Sequence, residues 1–332
     1  MNNGFLYALT VAIWGSTWLA IEFQLGAVAP DVSVFYRFAL AATLLITWCV
    51  ARGRKLKFAP SVHLRFMAMG LLMFCLNYLL TYYAQVHITS ALAAIAFTAM
   101  LWMNMIFARL FFGVRSGNRA IAGSVLGIVG IVIIFYPQVS EVSLNDSTMF
   151  GFLLALTGAT LASLGNMVSQ EAQLRGYPIV ESNAWGMTYG ALFTGTIVLV
   201  GNSQFTFDWS APYVISLLYL AVFGTIIAFG AYLTLLGRIG AHKVGYAVVL
   251  FPVIAVMLSV VFEGMPLSPS LLLGVAMVLS GNVFVLQSRK QAARKAAVVV
   301  QGAGEIDMAS KVSRTPDRNA APSAAAPRKD AL

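Results

Sequence analysis

Long apolar runs recur along this chain, most of them about 18 to 23 residues in length. An α-helix rises 1.5 Å per residue, so about 20 residues cross the roughly 30 Å hydrocarbon layer of a bilayer. The runs predict spans at 4–22, 34–51, 64–84, 88–108, 119–136, 149–169, 182–201, 211–236, 242–262 and 269–287. Helices are expected because every backbone N–H and C=O must be satisfied inside lipid, and the runs lack the two-residue alternation of a barrel strand. Composition agrees: with 59% apolar and 10% charged residues, the chain has too little polar surface to coat a water-soluble globule.

The basic residues predict an orientation, since short loops rich in Lys and Arg stay cytoplasmic. Arg52, Arg54, Lys55, Lys57 and Arg65 fall in the second connection, and Arg109, Arg115 and Arg119 in the fourth. Arg175, then Arg238 and Lys243, fall in the sixth and eighth, and nine more follow residue 288. The alternate connections carry Asp31, Glu141, Asp146, Asp208 and Glu263 instead. Twenty of the 21 basic residues thus lie on one side, the exception being Arg37 within the second span. Both termini are expected in the cytoplasm of a bacterial inner membrane. This topology accounts for the net charge of +9 without any nucleic-acid partner.

The chain also repeats itself. GFLYALTVAIWGS, Gly4 to Ser16, returns as GFLLALTGATLAS, Gly151 to Ser163, with eight of thirteen positions identical at an offset of 147. Ser90 to Gly130 aligns without a gap to Ala241 to Gly281 at an offset of 151, pairing Gly113 with Gly264, Gly123 with Gly274 and Gly130 with Gly281. A duplicated unit of five spans is odd in number, so its second copy must enter the membrane from the opposite face. The expected fold is therefore an all-α integral membrane protein, ten transmembrane helices arranged as two inverted five-helix repeats around a central cavity. Residues 1–138 form the first repeat, 149–288 the second, and 289–332 a disordered basic cytoplasmic tail rich in Ala, Pro and Ser. Two halves of opposite orientation can exchange conformations, as alternating access requires. A duplication that merely built a large bundle is the competing reading.

Other functions find little support. The first span reads as an anchor, since no charged segment precedes it and no convincing cleavage site follows. Cys49 and Cys75 both lie in apolar spans and read as packing residues. There is no phosphate loop, no H-E-x-x-H and no zinc-spaced cluster, so neither a cofactor nor a metal site is expected, and no enzyme activity. The expected partners are a small-molecule substrate and the lipid bilayer. The G-x-x-x-G pairs at Gly123–Gly127 and Gly186–Gly190 serve packing within a bundle at least as often as dimerisation, so a monomer is compatible with the sequence.

Polar groups are expensive inside a membrane and are functional candidates by default. Asn77, Tyr78, Thr81, Tyr82 and Gln85 share one broad face of span three, with Tyr82 and Tyr83 also read as an interfacial belt. Trp14 and Trp18 lie four apart on span one, and Trp14, near its centre, is a candidate for stacking on a substrate. Trp102, Trp185 and Tyr246 are further substrate-binding candidates, with Trp185 also explained as an interfacial anchor. Arg37 is expected either to snorkel or to pair with Glu22, as a gate at the outer mouth, a carboxylate site or a structural tie. No Asp or Glu lies near the centre of a span, which favours gradient-driven export, while proton antiport through a group such as Glu22 stays open.

The stretches WGSTWLAIE, FYRFALAA and VVLFPVIAVMLSVVFEGMPLSPSLLLGVAMVLSGNV resemble the EamA branch of the drug/metabolite transporter superfamily, over about residues 4–288. The chain looks most similar to YddG-type inner-membrane exporters. That resemblance implies export of aromatic and other neutral amino acids and of toxic aromatic cations, with a proton-coupled multidrug antiporter or a channel as alternatives. In the first half Met100-Leu101 and Phe112 stand where the second has Phe251-Pro252 and Glu263, so a proline kink and the acid are expected in one copy only.

Overall fold

A computed structural model describes residues 2–113, 118–140, 147–239, 241–264, 266–281 and 283–284. The tail at 289–332 lies outside them. Among the described residues every regular element is helical: α1 (Asn3–Glu22), α2 (Pro30–Ala51), α3 (Pro60–Gln85), α4 (Ser90–Phe112), α5 (Asn118–Ser140), α6 (Ser147–Leu174), α7 (Ile179–Val200), α8 (211–239), α9 (Ala241–Phe262) and α10 (Pro269–Gly281). By length and composition α1, α2, α3, α4, α6 and the Ala211–Tyr232 part of α8 can cross a membrane. Shorter apolar stretches occupy Ile121–Ile134 in α5, Phe251–Phe262 in α9 and Pro269–Gly281 in α10.

Helices begin and end where local chemistry allows. Asn2 caps α1 by accepting the Gly4 N–H, and the Thr89 hydroxyl caps α4 by accepting from Leu92. Some helices outrun their apolar stretch. α2 starts at Pro30, four residues before the expected 34, because proline is pre-set for the first helical position and Asp31 accepts from the Val32 N–H and the Ser203 hydroxyl. α6 continues past 169 to Leu174, where Glu171 is held by Arg65 and Arg175.

Two helices depart from α geometry. Gly70–Leu76 of α3 and Tyr219–Ile227 of α8 are π-helical, and these segments end 151 residues apart, the offset of the second repeat. In α8 the Thr225 hydroxyl donates to the Leu220 carbonyl five residues back, at 2.8 Å. The expected kink falls differently from the sequence reading. α4 breaks at Thr98, where backbone N–H and hydroxyl both turn back on the Ile95 carbonyl, whereas α9 remains helical through Pro252. Two competing bonds to one carbonyl interrupt the copy that lacks the proline.

Glycines let helix backbones touch. An added Cβ on Gly130 would lie 2.8 Å from the Gly274 carbonyl, and one on Gly281 would lie 2.4 Å from that of Gly123, so α5 and α10 pack antiparallel in contact. Gly186 and Gly190 receive Met69, Gly70 and Phe74 of α3. Both G-x-x-x-G pairs are therefore used within the chain. The helix pairs recur across the repeat: α1 packs on α9 as α6 packs on α4, and α6 packs on α3 as α1 packs on α8. Buried apolar side chains form one cluster around α4, α5 and α10 and another around α2, α3 and α7.

Candidate functional site

A cavity of about 120 Å³ opens among α1, α2, α3, α4, α6, α8 and α9. α1 contributes Trp14, Thr17, Trp18 and Ile21, and α2 contributes Arg37. Met73, Asn77, Tyr78 and Thr81 come from α3, and Phe97, Thr98 and Met100 from the broken part of α4. The second half adds Asn166 of α6, Phe229 and Tyr232 of α8, and Phe251 and Pro252 of α9.

Both π-helical segments adjoin this space. An i→i+5 ridge misaligns the next turn and frees carbonyls for other donors. The Trp14 indole N–H donates to the Gly224 carbonyl at 3.1 Å, and the ring packs against Phe229, Tyr232 and Phe251 with centroids 5.0–5.6 Å away. On α3, the Asn77 amide donates to the Met73 carbonyl at 3.1 Å, while its side-chain oxygen is buried without a partner.

Arg37 is only 1% exposed. Its Nε donates to the Thr225 hydroxyl at 3.1 Å, its Nη1 makes a long 3.5 Å contact with the Tyr82 hydroxyl, and its guanidinium carbon sits 4.5 Å from the centre of the Tyr78 ring. Among the described residues no carboxylate lies within 4.0 Å of it, so the expected pairing with Glu22 does not form. Glu22 is the last residue of α1 and half-buried, whereas Arg37 points inward to α3 and α8. Neutral hydroxyls and a ring face take the place of the anion.

Of the sequence-derived candidates, the cavity gathers Trp14, Asn77, Tyr78 and Arg37. Tyr82 is fully buried beside it, donating to Gln24 at 3.0 Å. Trp102 is packed away over Gly127 with its indole N–H unpartnered. Trp185 donates to the Leu56 carbonyl at 3.0 Å and packs against His63, away from the lining. Tyr246 belongs to α9, and its side chain lies outside the described residues. Phe229, Tyr232 and Phe251 were missed as lining residues, although the repeat held the signal. The 151-residue offset carries Tyr78 to Phe229, Thr81 to Tyr232 and Met100 to Phe251. It carries Asn77 to Ala228, so the two halves contribute unequally.

The model of the EamA-like transporter family matches residues 2–136 and again 149–287. A "Probable amino-acid metabolite efflux pump" of Escherichia coli (strain K12) is 27% identical over 306 residues, 87% of this chain and 97% of that protein. Its namesake in Salmonella typhimurium is 28% identical over 88% and 98% of the two chains. The "Uncharacterized inner membrane transporter YedA" of Escherichia coli (strain K12) is 28% identical over 85% of this chain and 89% of its own. One solved crystal structure, 18% identical, superposes with a TM-score of 0.65 over 87% of this chain and 98% of its own, a likeness of fold.

Proposed function

The chain belongs to the EamA-like transporter family, and from that premise we propose that it exports neutral amino acids, aromatic ones foremost, by alternating access. The observation that carries this reading is the unequal cavity. Arg37, Asn77 and Thr81 supply it with polar groups, and Phe229, Tyr232 and Phe251, packed round Trp14, supply an aromatic surface. Such a space suits a molecule with a polar head and an apolar body. The efflux-pump relatives, named for amino-acid metabolites, support amino acids as the broader class, and the resemblance to YddG-type exporters favours the aromatic ones.

Two inverted five-helix halves, residues 1–138 and 149–288, supply the moving parts in this reading. The antiparallel α5–α10 contact supports it. Gly123 touching Gly281 becomes Gly274 touching Gly130 when each residue is exchanged for its repeat mate. Contacts that map onto themselves in this way are what a two-fold relation between copies produces. Among the described residues the cavity lining contains no Asp or Glu, which favours gradient-driven export over proton antiport.

The test is counterflow in proteoliposomes loaded with threonine, methionine, phenylalanine or tryptophan, with and without a pH gradient. Saturable counterflow, strongest for phenylalanine and tryptophan and indifferent to the pH gradient, is the expected result. If none of the four moves, the amino-acid reading is wrong. Movement that depends on the gradient transfers the case to proton antiport.

A further inference from the structure

A buried charge without a counter-ion is unusual, because only a partner offsets the cost of desolvating it. Arg37 is in that position. A guanidinium offers five N–H donors in a fixed fork and stays protonated. Thr225 and Tyr82 are its hydrogen-bond partners, both neutral, and the Tyr78 ring covers one face. Asn77 presents the complementary deficit on the same cavity, a buried side-chain oxygen that accepts from nothing. One group lacks an anion and the other lacks a donor.

We infer that Arg37 is the anchor for the carboxylate of the transported molecule, that Asn77 accepts from its ammonium, and that the cavity selects for carboxylates and rejects lipophilic cations. The claim rests on the cavity's being the transport site and narrows its substrate class. An α-amino acid satisfies both groups at once, its carboxylate meeting the guanidinium and its ammonium the amide oxygen, with the side chain left to the aromatic surface. An amine lacking the carboxylate leaves Arg37 uncompensated and adds a second positive charge to a cavity whose lining holds no acid among the described residues. The toxic aromatic cations that the family resemblance implies are therefore excluded from this site. The π-helical segment of α8 has a direct part in this: the Thr225 hydroxyl that holds Arg37 Nε is itself aimed by its bond to the Leu220 carbonyl.

The full chain in proteoliposomes tests this through competition against counterflow of radiolabelled phenylalanine. The competitors are hydrocinnamate, which keeps the carboxylate and lacks the amine, phenethylamine, which does the reverse, and tetraphenylphosphonium. Ligand-induced thermal stabilisation of the purified protein is followed in parallel. Hydrocinnamate is expected to compete and stabilise, with the two cations weaker by about tenfold to hundredfold, the span of a hydrogen bond to a charged group. Arg37→Gln should abolish that preference and Arg37→Lys retain part of it, whereas a merely structural arginine would lower transport and leave the preference in place. Should Arg37→Gln fail to fold, Thr225→Val, which removes only the group holding Nε, should weaken hydrocinnamate more than phenethylamine. Phenethylamine or tetraphenylphosphonium competing as well as hydrocinnamate in the wild type overturns the anchor while amino-acid export stands. Phenylalanine that fails to move, with hydrocinnamate still stabilising the wild type and not Arg37→Gln, overturns amino-acid export and leaves the anchor in place.

Discussion

Trp102 is 4% exposed, and its indole N–H meets no acceptor. An orphaned buried donor costs about 1–3 kcal/mol, so replacing the indole by a phenyl ring removes a penalty as well as some packing. Trp102→Phe is expected to leave the melting temperature in detergent unchanged or raised and counterflow of phenylalanine intact; a selective loss of aromatic transport would return Trp102 to the substrate. Trp14 should behave in the opposite way. Trp14→Phe forfeits the bond to Gly224 and keeps an aromatic ring among Phe229, Tyr232 and Phe251, so half-saturation should rise by about twofold to tenfold. Trp14→Ala removes the ring, and should weaken phenylalanine more than threonine when the two are measured side by side. The sequence distinguished some of these residues well. Arg37 was legible because a charge in an apolar span is conspicuous, and Asn77 and Tyr78 because polar groups marked one face of α3. The tryptophans were not sorted, because a helix that is apolar all round carries no contrast to tell lipid, packed core and cavity apart.

Glycine contacts offer a matched comparison along the helices. A methyl added at Gly281 would press into the Gly123 carbonyl and the Gly127 backbone, whereas at Gly230 of α8 it would meet nothing within 4 Å. Gly281→Ala should therefore destabilise by about 1–3 kcal/mol through forced separation of α5 and α10. Gly230→Ala should be neutral or stabilise by up to about 1 kcal/mol, since alanine is the better helix former. Thermal unfolding in one detergent compares the two, and equal effects would mean that the close approach is not a constraint. The glycines of the α5–α10 contact stood out in the sequence as repeat mates, Gly123 with Gly274 and Gly130 with Gly281, but which helix each would meet was not legible there. Nor were the π-helical segments and the break at Thr98. In α8 and at Thr98 the geometry goes with which carbonyl a hydroxyl selects, Leu220 for Thr225 and Ile95 for Thr98, and no residue type announces that choice as proline does; the Gly70–Leu76 segment has no hydroxyl at all to mark it. Pro252 misled for the converse reason, its helix tolerating the lost N–H.

At the scale of the whole molecule, the proposed mechanism needs the two halves to face opposite ways across the bilayer, and the basic residues imply which way each faces. The segment after α2 carries Arg52, Arg54, Lys55 and Lys57, and the one between α7 and α8 carries Asp208 and no basic residue. The hydrogen bonds Asp208 accepts from the Ser210 N–H and hydroxyl hold its carboxyl below the usual range, so this segment stays anionic well into acid. By the positive-inside rule the first segment is expected in the cytoplasm and the second outside. Single added cysteines can decide this, because the native Cys49 and Cys75 are fully buried and give little background to a polar reagent. Lys55 and Gln204 are both exposed, one in each segment. A membrane-impermeant maleimide added to intact cells should label Gln204→Cys at once and Lys55→Cys only after permeabilisation. The reverse pattern would turn the protein over, placing the basic connections outside and making the proposed direction of export untenable. Labelling of both sites in intact cells would mean a mixed orientation, which a charge bias of twenty residues to none makes the least expected of the outcomes.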